Sequence, residues 1–293
     1  MGRHLVSTLF ITFGCSWTAG VGSIWYDGMP LTTYELIVKD TSPDNIKQHT
    51  TNAYRHTLCK SLKMTNLNFA EGGSSNQRQW RYAEEYFGSA QFNKDKTEFD
   101  NIVVLHAITS TSRGEFWIRG QGEESSGEYV NKLFTNSQLE PDEHDKINKL
   151  FKRPAGPNRL WKTYIEESYD HNHSVDELAT KMMFWNSYYK AHGIHNLWVD
   201  TFNHHEYAVD IPNLINKDSN QRDILSMLCF KNGMKQPDTK YHKSTWQIDS
   251  NRIPYLVERG ILNPFSYHPT KEGHEQIAEL LSPYIEKVLG DNA

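Results

Sequence analysis

The chain has 293 residues, a formal net charge of −5 and a pI near 6.3, so it suits one large α/β domain with elaborations and offers no basic stripe for a nucleic-acid partner. No run approaches the ~20 apolar residues that a membrane span requires. Three widely spaced cysteines, Cys15, Cys59 and Cys229, form neither a disulfide framework nor a zinc knuckle, and a reducing compartment is expected.

In chain order, Leu5–Phe13 is β-branched and aromatic and stops at Gly14, which predicts a first buried strand. Its hydroxyls and the missing small-x-small site argue against a signal peptide. Residues 30–63 read as helical, broken at the Ser42-Pro43-Asp44 turn. Asn66–Ala70 predicts a short strand, and Gly72–Asn76 a loop that caps a helix from about Gln77 to Tyr86. Ile102–Ile108 is apolar almost throughout, as strands buried on both faces are. Residues 114–170 are polar and read as an insertion. Ser174–Ala191 predicts a helix with Ser174 as N-cap and Glu177 completing a capping box. Ile194–Phe202 predicts a fourth strand, and Pro269 and Thr270 open a last helix ending near Leu289.

Strands alternating with helices predict a parallel sheet covered on both sides, with ligands at the carboxyl ends of the strands. Three polar loops follow strands directly: Gly14–Gly20, Gly72–Asn76 and Thr109–Arg113. They belong on one edge of the sheet. Ser16, just past the first strand, is either a plain helix cap or a nucleophile beside backbone donors. His268 precedes the proline-started last helix, where it is either a surface residue or a general base. His274, inside that helix, is expected to pack or cap. Cys15 points away from Ser16 in an extended strand end and is expected to be a small buried hydrophobe. His204-His205-Glu206 and His171-x-His173 lack helical i, i+4 spacing and a third ligand, so no metal is expected.

Together, Gly14-x-Ser16-x-Thr18-x-Gly20, Asn68-Phe69-Ala70-x-Gly72-Gly73-x-Ser75-Asn76 and His268-Pro269-Thr270-x-x-Gly273-His274 resemble the conserved blocks of the SGNH (GDSL-like) hydrolases, in the family's order. The Cys-Ser-Trp wording of the first block is similar to variants common in bacteriophage and environmental genomes. The resemblance implies a three-layer α/β/α sandwich with a mostly parallel, flavodoxin-like sheet, a single domain over residues 1–293, and insertions at about 28–64 and 114–170. It implies ester hydrolysis without a cofactor, with Ser16 as nucleophile, His268 as general base and Gly73 as oxyanion donor. Short acyl esters, including O-acetyl groups on carbohydrate, are the implied substrates.

Two departures from the family pattern bear on the site. The third block normally ends in Gly-x-Asn-Asp, whereas Ala107-Ile108-Thr109-Ser110 stands here, leaving the hydroxyl of Thr109 for the oxyanion. An Asp normally shortly precedes the histidine, whereas Phe265 and Ser266 occupy that stretch. Asp200, near the end of the fourth strand, is the candidate orienting acid, with a backbone carbonyl as the other option. Asn76 and Arg113 are candidate substrate-binding residues. Two other classes stay open: an O-acyltransferase using the same serine, and a weak or inactive binding module on the same scaffold. A soluble protein, cytoplasmic or virion-associated, is expected.

Overall fold

Side-chain alternation along the strands decides the architecture. The computed structural model describes residues 6–40, 42–111, 113–118, 128–133, 170–202, 205–219, 221–235 and 251–290. Strands β1 (Thr8–Phe13), β2 (Thr65–Asn68), β3 (Asn101–Ile108) and β6 (His195–Asp200) form a parallel sheet in the order β2-β1-β3-β6. Phe10, Val103, Leu105, Ala107, Leu197 and Val199 enter one core, while Leu9, Ile11, Phe13, Ile102, Val104, Ile108 and Trp198 enter another. Successive residues of a strand face opposite sides, so both faces of the sheet are buried.

Helices cover each face. The first core is completed by α4 (Tyr54–Leu62), α8 (Ile224–Lys231), α9 (Arg252–Val257) and α10 (Lys271–Gly290). The second is completed by α5 (Asn76–Phe87), α6 (Ala90–Glu98) and α7 (His171–Ala191). The fold is therefore a three-layer α/β/α sandwich. Short α1 (Ser16–Ala19) follows β1, and α2 (Leu31–Lys39) and α3 (Pro43–Asn52) precede α4. Ser42 accepts from the Asn45 N–H at 3.4 Å with Pro43 in the first turn, which explains the break between α2 and α3.

Several boundaries differ from the sequence expectation. Within the polar stretch 114–170, an antiparallel pair, β4 (Arg113–Ile118) and β5 (Glu128–Leu133), is present. The long helix α7 starts at His171 because the Asp170 carboxylate accepts from the His173 N–H at 2.8 Å. Ser174, expected as the cap, instead donates its hydroxyl back to the Asp170 carbonyl. Among the described residues, no helix is long and apolar enough to cross a membrane.

Candidate active site

The strand order reverses between β1 and β3, whose neighbours lie on opposite sides, and the loops leaving such a switch point line a crevice. In the register of the sheet, Thr12 pairs with Asn68, Phe13 with His106, and Ile108 with Asp200, so all four strands end at the same side of the sheet, β3 and β6 running two residues beyond β1. The loops after β1, β2 and β3 thus share one edge.

Gly14 lets the first loop turn tightly, since a Cβ there would sit 2.2 Å from Thr18 Oγ1. Cys15 is extended and wholly buried in the core, and Ser16 begins α1 as its first helical residue. Ser16 therefore does not cap this helix, and its hydroxyl is directed elsewhere. Ser16 Oγ lies 2.7 Å from His268 Nε2, across 252 residues of sequence. At that length the pair is a short, well-formed hydrogen bond.

Neighbours from the 28–64 stretch hold α1 in place. Arg55 is buried and donates to the carbonyls of Thr18 (3.1 Å) and Ala19 (3.3 Å), putting a cation at the C-terminal end of α1. Burial pulls its pKa below the usual guanidinium value. Tyr54 donates its hydroxyl to Thr18 Oγ1 at 3.0 Å, and His49 Nδ1 donates to the Gly20 carbonyl at 3.0 Å.

The second loop is tied to the first by the Phe69 N–H on the Thr12 carbonyl (2.8 Å) and the Glu71 N–H on the Gly14 carbonyl (3.4 Å). Gly73 has φ +74, a left-handed conformation that favours glycine. Among the described residues, neither the Ser16 nor the Gly73 N–H has an acceptor.

Asn76, at the start of α5, accepts from the Thr109 N–H at 2.9 Å and donates to the Thr109 carbonyl at 2.8 Å. Both ends of its amide brace the third loop. Thr109 is buried and its hydroxyl has no partner among the described residues. Arg113 opens β4, and its side chain lies outside the described part of the structure.

The His268 loop closes on itself through the Asn263 N–H on the His268 carbonyl (2.9 Å) and the Thr270 N–H on the Ile261 carbonyl (3.0 Å). Thr270 Oγ1 then accepts from the Gly273 N–H at 3.2 Å, starting α10. His268 Nδ1 faces Ser266 Oγ at 2.8 Å. Asp200 sits elsewhere in the hydrogen-bond pattern: its buried carboxylate accepts from the His205 N–H (3.0 Å) and the Tyr207 hydroxyl (2.9 Å). His274 is buried in α10, and its Nδ1 accepts from the Tyr54 N–H at 3.4 Å. His204 and the side chain of His171 lie outside the described residues. Among the described residues, no group of three or more His, Cys, Asp or Glu is placed to hold a metal ion.

Sequence reading did not single out Gly22, Tyr34, Arg55 or Asn263. Asn263-Pro264 carries a turn signature that could have drawn notice. The others carry no local signal, because each acts on a residue far away in the chain.

The parallel sheet covered by helices on both faces agrees with the mostly parallel three-layer sandwich that the motif resemblance implied. The observed sheet belongs to the α/β/α class. Two solved structures are similar over nearly the full length of both chains. One is a protein assigned to the lipolytic G-D-S-L family from Desulfitobacterium hafniense DCB-2, at 12% identity, TM-score 0.32, and coverage of 95% of this chain and 99% of that one. The other is the lipase Lip_vut3 from a goat rumen metagenome, at 13% identity, TM-score 0.36, and coverage of 95% and 97%. No family model and no curated protein matches the chain.

Proposed function

We propose that the protein is a serine hydrolase of esters. The observation that carries this reading is the 2.7 Å contact between Ser16 Oγ and His268 Nε2, at the switch point of a parallel sheet. A hydroxyl within hydrogen-bond reach of an imidazole can lose its proton as it attacks. In this reading Ser16 Oγ adds to the ester carbonyl carbon while its proton passes to His268 Nε2. The carbon–oxygen bond to the alcohol then breaks, and the alcohol leaves with that proton. Water, deprotonated by the same nitrogen, releases the acyl group from Ser16.

Negative charge on the carbonyl oxygen needs donors already aimed at it. The N–H groups of Ser16 and Gly73, which have no acceptor among the described residues, are the donors assigned here. Thr109 is the third, because its buried hydroxyl has a proton and, among the described residues, no partner to take it. Asn76 serves by bracing Thr109, and Arg113 stays a candidate for an anionic substrate group. Short acyl esters, O-acetyl carbohydrate among them, are the first substrates to try. Hydrolysis of an aryl acetate should fall on the order of 10³-fold or more in Ser16→Ala, with the fold retained. Full activity in that variant, with loss in Cys15→Ala, would contradict the assignment.

A further inference from the structure

Ser266 has three polar neighbours, and their chemistry fixes where every proton lies. Its hydroxyl is 2.8 Å from His268 Nδ1, 3.1 Å from Asn263 Oδ1 and 2.5 Å from the Tyr34 hydroxyl. A hydroxyl has one proton to give and two lone pairs to offer, so three contacts exhaust it. Only their directions remain to be found.

Asn263 supplies them. Its Nδ2 is 3.0 Å from the His268 carbonyl, which can only accept, so this end of the amide is the donor. Its Oδ1 accepts from the N–H groups of Phe265 (3.1 Å) and Ser266 (2.8 Å). Flipping the amide would set oxygen against oxygen and the NH2 against two N–H donors. Oδ1 has no proton, so Ser266 must donate its own proton to Asn263. The Ser266 oxygen is then left with two lone pairs, which accept from the Tyr34 hydroxyl and from His268 Nδ1. Burial raises the pKa of Tyr34 above the ordinary phenol value, which keeps that hydroxyl a donor at neutral pH.

We propose that Ser266 is the positioning residue of His268, with Asn263 and Tyr34 setting its direction. The relay places the imidazole proton on Nδ1 and leaves the Nε2 lone pair facing Ser16. It supplies by neutral hydrogen bonds the tautomer control that an aspartate provides in an acidic triad. Tyr267 between the two side chains has φ +58, and this left-handed kink lets Ser266 and His268 meet two residues apart. Tyr34 comes from α2, so the 28–64 stretch contributes directly to the base.

This inference rests on the proposed roles of Ser16 and His268, but its test does not need turnover. Histidine-selective 15N NMR is recorded on the whole protein at a pH where the ring is neutral. The His268 resonances are identified by their loss in His268→Gln. The expected result is a proton on Nδ1 and a bare Nε2. Ser266→Ala should shift the ring towards the Nε2–H form and lower kcat on the order of 10²-fold, with KM unchanged. Tyr34→Phe leaves the Asn263 bond intact, so it should keep the Nδ1–H form. A wild-type ring protonated on Nε2 would overturn the proposal without any variant having to fold. So would a Ser266→Ala protein with unaltered tautomer and unaltered kcat. Failure of Ser16 to act as nucleophile would appear in the aryl acetate assay and leave the tautomer readable.

Discussion

Gly22 has φ +92, and a Cβ on it would lie 2.5 Å from His268 Cβ and 2.8 Å from Asn263 Nδ2. The first loop therefore serves as the floor against which the base and its relay are set. Gly22→Ala must push this floor and the histidine apart, and a displacement of about 1 Å in such a pair can cost about 10²-fold in rate. Gly28→Ala is the matched control, with φ +81 and nothing within 4 Å of the added carbon. Both variants should lose some stability to backbone strain, on the order of 1–2 kcal/mol. Only Gly22→Ala should lose kcat towards an aryl acetate. Equal kcat in the two would show that the close approach is immaterial. Ser16 and His268 were legible because each sits in a short block beside glycine or proline. Gly22 and Tyr34 were not, because each is defined by what it touches across the fold, whereas Asn263 acts on Phe265, Ser266 and His268 nearby and showed only the turn signature of Asn263-Pro264.

At the scale of elements, two side chains of α5 join it to the end of β3: Gln79 Nε2 donates to the Ala107 carbonyl at 3.1 Å, and Asn76 holds Thr109. Asn76 satisfies both the N–H and the carbonyl of buried Thr109. Asn76→Ala leaves two buried backbone groups unpaired, each costing roughly 1–3 kcal/mol. Urea unfolding should show a loss of about 2–4 kcal/mol, with activity reduced as well because the Thr109 hydroxyl shifts. A change below about 0.5 kcal/mol, the range of ordinary surface substitutions, would mean that the brace is not under load. The central strands were readable in the sequence, since burial on both faces leaves an unbroken apolar run. Helix α6 was not, because only Phe92 and Asp95 of its nine residues are buried and no apolar period shows. Helix α8, Ile224–Lys231, failed for the opposite reason. It is buried through its first six residues, so its run has no polar face to mark a helical repeat. The start of α7 was misplaced by three residues because Ser174 matched a capping pattern that Asp170 fulfils.

Across the whole molecule, two buried histidines make stability depend on pH. Burial lowers His106 and His274 to about 3 from 6.5, and for His274 the positive groups of His268, Arg55 and His49 add to the effect. His106 lies in the second core, stacked on Phe13 and Trp198 at 4.7 and 4.6 Å, while His274 lies behind α4. With both pKa values lower in the folded state, the unfolded chain binds more protons between about pH 6.5 and 3. Their contribution is complete above pH 6.5 and is lost as pH falls towards 3, at about 1.4 kcal/mol per pH unit for each ring. Melting temperature should therefore decline steadily below pH 6.5. His106→Phe, which keeps the stacking and removes the titrating group, should make that decline shallower. A flat profile from pH 6.5 to 4.5 would contradict the burial of neutral rings.

The same three-layer frame brings Ser16 to His268 from opposite ends of the chain, and the central claim is that this contact makes Ser16 a nucleophile. Intact-mass and peptide mass spectrometry after treatment with a fluorophosphonate tests it most directly, because the reagent reads an activated serine without knowledge of the substrate. One adduct is expected, on the peptide that carries Ser16, absent in Ser16→Ala and formed far more slowly in His268→Asn. An adduct on another residue, or labelling of Ser16 at full rate in His268→Asn, would contradict it.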